Sequence, residues 1–259
     1  MRMRHIIHPL ELCLNITRVT NPSVVCRHIR SQSLCYPVCS YSTPSTTSHI
    51  FNAHCDDTLK KSILANMLVY NDFLSVEDEQ SLLQEINQFI KRQRYEYDHW
   101  DDAIHGFRET ERSKWNEQNS KIIARVQNLA FASDVTPIQY VHVLDLEEKG
   151  YIKAHVDSVR FCGNTIAGLS LVSDSVMKLV DEETKTEEVL VLLKQRSLYV
   201  MKDVARYKFT HEVLPNEKSY FGDLFVPRGR RISVICRNTP DPSLIDSSND
   251  GSDGNPYAR

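Results

Sequence analysis

The sequence predicts a mainly β (α+β) fold, a double-stranded β-helix of the cupin-like jelly-roll type with supporting helices on its N-terminal side. Three observations lead to this prediction. From about residue 138 onward, apolar residues recur at every second position in short runs separated by turns. Before that point, two segments carry apolar residues at helical spacing. With 259 residues, 41% of them hydrophobic, the chain is long enough to bury one good-sized core.

Two amphipathic helices are predicted ahead of the strands. The first spans residues 75 to 93 and begins with the segment SVED, which is typical of a capped helix start. The second spans residues 118 to 132. The segment between them, residues 95 to 115, is polar, aromatic and irregular, and it predicts a loop whose aromatic residues anchor it to the core or line a substrate entrance. The apolar helix positions are Leu82, Leu83, Ile86, Phe89 and Ile90 in the first helix, and Ile122, Ile123, Val126 and Leu129 in the second.

The strands follow one another at short intervals. Each run alternates apolar and polar residues or is apolar throughout, and turn residues separate neighbouring runs. The predicted strands cover residues 138 to 146, 165 to 173, 176 to 182, 187 to 194, 197 to 202, 206 to 213 and 230 to 237.

The N-terminal stretch differs in composition from the rest of the chain. Through residue 55 it holds five arginines, no lysine, the single acid Glu11 and many serines and threonines. This composition is typical of a mitochondrial transit peptide. A secretory signal is the competing interpretation, but His5, His8, Pro9 and Glu11 interrupt any apolar core. We therefore expect a transit peptide or disordered segment at 1–55, a catalytic domain at 56–240, a disordered tail at 241–259, and localisation in the mitochondrial matrix.

Charge and cysteine content limit the possible partners. Removing the first 55 residues removes five arginines and one glutamate, so the formal net charge falls from −3 to −7. An acidic domain is an unfavourable partner for nucleic acid, although a local basic patch remains possible. Two cysteines remain, Cys162 and Cys236, and their wide spacing indicates reduced, buried thiols, with a disulfide as the minor alternative. No apolar run is long enough to predict a membrane span.

The segment His155-Val156-Asp157 and the later His211 indicate a metal site. Residues i and i+2 of a strand point to the same side, so His155 and Asp157 can bind one ion together, and His211 lies in another predicted strand. Two histidines and one carboxylate leave coordination positions open, as a non-haem Fe(II) oxygenase requires. The alternative is that the HxD tripeptide occurs by chance.

Arg231 and Arg237 lie on one face of the last predicted strand. A buried strand face with two cations needs anionic partners, and a guanidinium binds a carboxylate through two parallel hydrogen bonds. A dicarboxylate such as 2-oxoglutarate would supply both partners. The alternative is a solvated basic edge strand. His99, His105 and His142 are further possible ligands, but they are more simply interpreted as core or surface histidines.

These segments resemble the AlkB-like Fe(II)/2-oxoglutarate-dependent dioxygenases, and most of all the mitochondrial branch of that family. The resemblance implies that His155, Asp157 and His211 bind iron, and that Arg231 with Tyr199 holds the distal carboxylate of 2-oxoglutarate. It also implies that Arg237 is the second arginine of the family's RxxxxxR motif. The resemblance covers about residues 66 to 240 and rests on the runs YVHVLDLEEKGYIKAHVDSVRFCGN, SLYVMKDVARYKFTHEV and PRGRRISVICR, with YDHWDDAIHGFRETE at residues 97 to 111.

The resemblance also implies a function. It predicts an enzyme that uses O2 and 2-oxoglutarate to oxidise a protein or other non-DNA substrate, with roles in programmed necrosis and fatty-acid metabolism. One alternative is a demethylase of mitochondrial tRNA, and another is a non-catalytic sensor of iron and 2-oxoglutarate. The segment before the barrel offers few basic residues interleaved with aromatic ones, so duplex DNA is an unfavourable substrate. RNA binding would need a patch assembled from residues near the predicted lid: Lys91, Arg92, Arg94, Arg108 and Arg112.

Overall fold

A computed structural model describes residues 51–54, 56–97 and 103–247. The helices are α1 (Asp57–Asn66), α2 (Val76–Ile90), α3 (Glu117–Ala130), α4 (Asp203–Tyr207) and α5 (Pro242–Ser247), with one 3₁₀ turn at Asn216–Lys218. The strands are β1 (Phe51–His54), β2 (Met67–Tyr70), β3 (Ile104–Arg112), β4 (Val141–His155), β5 (Thr165–Leu171), β6 (Ser175–Asp181), β7 (Glu188–Leu193), β8 (Leu198–Lys202), β9 (Phe209–Val213), β10 (Tyr220–Phe221), β11 (Leu224–Phe225) and β12 (Arg231–Arg237).

Ten of the described strands form one antiparallel sheet that folds over on itself. Its order is β1-β7-β6-β9-β4-β12-β5-β8-β2, and β3 pairs with β4 outside this path. The fifteen-residue β4 joins the two halves, because its first part pairs with β12 and its end pairs with β9. Apolar side chains from both halves share one buried cluster, so the halves face each other across a core. This is the predicted double-stranded β-helix.

A second apolar cluster lies between the sheet and the helices. Along β12, Ile232, Val234 and Cys236 belong to this outer cluster, whereas Ile235 belongs to the inner one. The alternation predicted for this strand is therefore confirmed, and Arg231 and Arg237 share the inner side with Ile235. The outer cluster includes buried residues of α2 and α3, so these helices cover one face of the barrel.

Polar residues set the starts of both supporting helices. The Ser75 hydroxyl accepts a hydrogen bond from the Asp78 amide at 3.0 Å, and the Asn116 side chain accepts one from the Asn119 amide at 2.8 Å. Such caps satisfy amides that have no partner inside the helix. The two predicted helices are confirmed to within three residues at each end.

The loop predicted between those helices is wrong, because residues 104 to 112 form β3. This strand pairs with β4 along most of its length and contains a bulge between His105 and Phe107. Gly106 takes a φ of +67° at the bulge, and a Cβ there would lie 2.9 Å from the Cα of Gly150. Four charged residues and a bulge disrupt the alternation by which a strand is recognised in sequence.

Other elements also differ from the predicted boundaries. Strand β1 pairs with β7 although it precedes residue 56, where the domain was predicted to begin. Helix α5 follows residue 240, the predicted end of the domain. The strand predicted at 206 to 213 begins at Phe209, because α4 occupies the residues before it. Residues 1–50, most of the predicted transit peptide, lie outside the described part of the chain.

The two cysteines of the folded part, Cys162 and Cys236, are both buried and unpaired, as predicted. Among residues 51–54, 56–97 and 103–247, no helix combines the length and apolar character needed to cross a membrane.

Candidate metal and co-substrate site

His155, Asp157 and His211 meet at the end of β4. His155 is the last residue of this strand, and its backbone lies directly opposite His211 of β9. Asp157 follows the strand, so the expectation that it shares a strand face with His155 is wrong in detail. The pairing of β4 with β9 brings the two histidines together, and the turn after β4 adds the carboxylate.

The ligand atoms of these three residues lie within 4.8 Å of one another. His155 Nε2 is 3.3 Å from Asp157 Oδ1, and His211 Nε2 is 4.0 Å from the same oxygen. Atoms that each bind one ion at about 2.1 Å lie roughly 3 to 4 Å apart, so this spacing fits a shared metal. His155 Nδ1 is 2.8 Å from the Lys153 carbonyl oxygen, to which it donates when Nε2 is left free for a metal.

Electrostatics favours the protonation states that metal binding requires. Burial raises the pKa of Asp157, but the hydrogen bond from His155 and the charges of Arg237 and His211 outweigh it and hold this pKa well below its usual range. Burial, together with the charge of His155, lowers the pKa of His211 to about 3. An ionised carboxylate and a neutral imidazole are the forms that bind metals.

Arg231 is a buried cation with an unused donor. Its Nε donates to the Ser170 hydroxyl at 3.3 Å, and its Nη1 donates to the Ser233 hydroxyl. Its Nη2 is buried and has no hydrogen-bond partner among the described residues. A buried guanidinium with a free N–H fits a carboxylate ligand. Burial also raises the pKa of the neighbouring Tyr199, which keeps its hydroxyl protonated beside Arg231.

Gly168 shapes this part of the site, and it was not among the residues predicted from the sequence. It lies opposite Tyr199 in the pairing of β5 with β8. A Cβ on Gly168 would lie 2.6 Å from Tyr199 Oη and even closer to the ring carbons. The ring therefore occupies the space that any other residue at position 168 would fill. A glycine within a strand is the sequence signal for such close approach.

One cavity of about 890 Å³ contains all six predicted site residues. Its lining includes apolar side chains of β4, β5, β6 and β9, and the exposed aromatic residues Tyr140 and Phe161. Two carboxylates of β3, Glu109 and Glu111, also line it. The predicted site residues in the cavity are His155, Asp157, Tyr199, His211, Arg231 and Arg237.

The other histidines considered in the sequence have different surroundings. His142 lines the cavity, but its Nε2 lies 2.8 Å from Glu109 Oε2. His105 Nδ1 is 2.6 Å from the Tyr97 carbonyl oxygen, and its ring stacks on Tyr151. His99 lies outside the described residues. In the described part of the chain, neither His105 nor His142 belongs to a metal-type cluster.

A double-stranded β-helix with two histidines and one carboxylate facing a cavity, and a buried arginine beside them, defines the class of Fe(II)/2-oxoglutarate-dependent oxygenases. The chain is 56% identical over 169 residues to the mitochondrial α-ketoglutarate-dependent dioxygenase AlkB homolog 7 of Bos taurus, which covers 65% of this chain and 76% of that protein. It is 55% identical over 174 residues to the Mus musculus protein of the same name, with coverages of 67% and 79%. The chain therefore belongs to the mitochondrial AlkB homolog 7 family.

Comparison with structures supports the fold. The solved structure of OsALKBH1 matches with a TM-score of 0.51 at 14% identity, covering 66% of this chain and 97% of that one. A scan against models of protein families gives no match. Family membership makes the chain a mitochondrial dioxygenase that depends on Fe(II) and 2-oxoglutarate. The predicted family, enzyme class, cofactors and mitochondrial localisation are thereby confirmed.

Proposed function

We propose that His155, Asp157 and His211 are the iron ligands of this dioxygenase. The observation that carries the proposal is the convergence of their ligand atoms within 4.8 Å in a cavity that also holds Arg231. Three protein ligands leave about three positions on the ion for 2-oxoglutarate and O2. The ring of His211 and the carboxylate of Asp157 are largely shielded from water, which strengthens their interaction with a cation.

Arg231 and Tyr199 bind the distal carboxylate of 2-oxoglutarate in this proposal. The support is the unpartnered Arg231 Nη2 and the neutral hydroxyl of Tyr199 beside it. Arg237 lines the cavity beside Asp157, with its Nε 3.6 Å from Asp157 Oδ2, and it attracts the second carboxylate of the co-substrate. When bound, Fe(II) and 2-oxoglutarate activate O2, and the co-substrate is converted to succinate and CO2. The chain contributes orientation, charge compensation and exclusion of water.

The proposed substrate is a protein or another non-DNA molecule of the mitochondrial matrix, and the proposed cellular roles are in programmed necrosis and fatty-acid metabolism. The roles rest on the family resemblance of the sequence. The substrate class is supported by charge: the chain without its first 55 residues carries −7, and Glu109 and Glu111 line the cavity. Carboxylates beside the reaction site repel a phosphate backbone.

Demethylation of mitochondrial tRNA is the second candidate. It is favoured by the exposed residues Lys91, Arg92 and Arg94, which follow α2. The remaining basic residues considered for this surface are less available: Arg108 is paired with Asp145 at 2.7 Å, and Arg112 covers the ring of Phe89. The exposed basic segment is therefore short.

Two measurements on the Fe(II)-loaded protein test the proposal. Succinate formation from 2-oxoglutarate is expected in the wild type and is expected to be lost in His155→Ala. Matrix peptides and tRNAs incubated with either protein are then compared by mass spectrometry for the gain of an oxygen or the loss of a methyl group. A modified peptide supports the first candidate, and a demethylated tRNA supports the second. Absence of succinate formation in the wild type would instead support the non-catalytic sensor.

A further inference from the structure

Three neighbouring strands contribute one side chain each to a chain of contacts that ends at Asp157. Glu109 of β3 lies with Oε2 2.8 Å from His142 Nε2. His142 of β4 lies with Nδ1 3.3 Å from Arg237 Nη1. Arg237 of β12 lies with Nε 3.6 Å from Asp157 Oδ2. All four residues line the same cavity. The contacts therefore connect β3 to a candidate iron ligand.

The chemistry of these side chains determines which atoms donate and which accept along the chain of contacts. A guanidinium has only donors, so His142 Nδ1 must accept the hydrogen bond from Arg237. The imidazole proton must then sit on Nε2, where it is donated to the Glu109 carboxylate. Glu109 is thus the group that fixes the tautomer of His142, and His142 in that tautomer holds one arm of Arg237.

Arg237 in turn gives the two carboxylate oxygens of Asp157 different surroundings. Oδ1 lies near His155 and His211, at 3.3 and 4.0 Å, whereas Oδ2 faces Arg237. An arginine fixed at this position keeps one oxygen directed at the ion and the other occupied by a cation. Groups that orient metal ligands in this way influence metal affinity without contacting the metal.

We propose that Glu109 and His142 are positioning residues of the iron centre, acting through Arg237 to hold Asp157 in its ligating orientation. The inference rests on the assignment of Asp157 as an iron ligand. It gives a function to β3, which pairs only with β4 among the described strands and whose Glu109 carries the first contact.

The neighbouring acid Glu111 provides a matched control. It lies on the same strand, lines the same cavity and directly faces His142 in the strand pairing, yet the His142 contact is made by Glu109, from the diagonal position. Glu111 also interacts electrostatically with Arg237. Removing either acid changes the charge of the cavity by the same amount, but only removal of Glu109 breaks the chain of contacts.

The tautomer of His142 is the first test, and its decisive measurement is made on the wild-type protein. Nitrogen-15 NMR of the Zn(II)-loaded wild-type protein with 2-oxoglutarate is expected to show a neutral His142 with its proton on Nε2. In Glu109→Ala the fraction in this tautomer is expected to fall, whereas Glu109→Gln, which keeps an acceptor oxygen, is expected to preserve it. A proton on Nδ1 in the wild type would overturn the proposal.

Metal affinity is the second test, with Mn(II) as the redox-stable probe and free Mn(II) measured by electron paramagnetic resonance. Glu109→Ala and His142→Ala are expected to weaken Mn(II) binding by about tenfold or more, the usual effect of losing such an orienting group. Glu111→Ala, which removes the same charge but leaves the chain of contacts intact, is expected to weaken Mn(II) binding clearly less than Glu109→Ala does. Equal effects of Glu109→Ala and Glu111→Ala would overturn the positioning proposal. If His155→Ala bound Mn(II) like the wild type, the ligand assignment itself would fail.

Discussion

At the scale of single residues, burial controls the protonation states of the side chains at the site. His211, Tyr199 and Arg231 are removed from water, and this keeps an imidazole neutral, a phenol protonated and a guanidinium in need of an anion. The residue types were predictable from the sequence, since HxD, a later histidine and two alternating arginines form a recognisable set. The protonation states of these residues were not predictable from the sequence, because they depend on packing.

The candidate ligands give the first prediction. Anaerobic protein with Fe(II) and 2-oxoglutarate is expected to show the visible absorption band of an iron-chelated 2-oxo acid. His155→Ala and Asp157→Ala should each abolish the band, because each removes one of the three proposed ligands, whose ligand atoms lie within 4.8 Å of one another. Circular dichroism of both variants provides the control for folding. Retention of the band in both would show that the metal binds elsewhere.

Arg231 gives the second prediction. Arg231→Ala removes the buried donor proposed to bind the distal carboxylate, and loss of such a buried charge contact costs about 2 to 5 kcal/mol. The Kd for 2-oxoglutarate, measured by calorimetry with Mn(II) present, should rise at least tenfold. Mn(II) binding itself should survive. Tyr199→Phe should act in the same direction but more weakly, because it removes one hydroxyl. An unchanged Kd in Arg231→Ala would contradict the co-substrate assignment.

At the scale of secondary structure elements, the sequence predicts those that carry local signals. It does not predict those that depend on pairing with a distant strand. Helices α2 and α3 carry their caps and apolar stripes within a few residues, and both were predicted. Strand β3 was not predicted, because its charged residues and its bulge at Gly106 conceal the strand pattern, and its pairing with β4 is not visible in the sequence. Asp157 was placed on a strand for the same reason: the end of β4 at His155 is set by its partner strand β9.

The close approach of β5 to Tyr199 gives a third prediction. Gly168→Ala places a Cβ against the Tyr199 ring, which must move, and overpacking of this kind destabilises a core by about 1 to 3 kcal/mol. Both the melting temperature and the affinity for 2-oxoglutarate should fall. Gly229→Ala is the matched control, because a Cβ there meets no atom within 4 Å. A Gly168→Ala protein that matched this control in both measurements would contradict the packing argument.

At the scale of the whole molecule, composition alone predicts a targeting segment followed by a catalytic domain. The domain limits 56–240 stay a prediction, and β1 and α5 lie outside them. The fold class was predictable because seven alternating runs in series indicate one architecture. The order of the strands in the sheet was not predictable, because β4 pairs with three strands that are distant in sequence.

The acid-poor N-terminal stretch gives a fourth prediction. We expect residues 1 to 60, fused to a fluorescent reporter, to carry it to the mitochondrial matrix and to be shortened there, because an arginine-rich, acid-poor composition is typical of a transit peptide. Microscopy and gel mobility measure the two outcomes. A variant with its five arginines replaced by glutamine should stay in the cytosol at full length. A cytosolic, full-length wild-type fusion would exclude a transit peptide in this segment.

The net charge gives a fifth prediction. With a charge of −7 after loss of the first 55 residues, the domain should bind mixed-sequence RNA and DNA no more tightly than about 10⁻⁴ M at physiological salt. Fluorescence anisotropy across a salt series measures this. Sub-micromolar binding with a steep salt dependence would favour the tRNA candidate. In that case, replacing Lys91, Arg92 and Arg94 with glutamine should reduce the slope.

The pairings of the long strand β4 also bring the proposed iron ligands together. His155 meets His211 only after β4 has paired with β9, and Arg237 reaches Asp157 only after β12 has paired with the other part of β4. These pairings join segments far apart in sequence, and pairing over such distances is intrinsically slow. The proposed ligands are therefore not assembled in an unfolded chain, and iron binding at this site would favour the folded state. The metal and the co-substrate should bind the native state and not the unfolded one. The free energy of unfolding should therefore rise with their free concentrations.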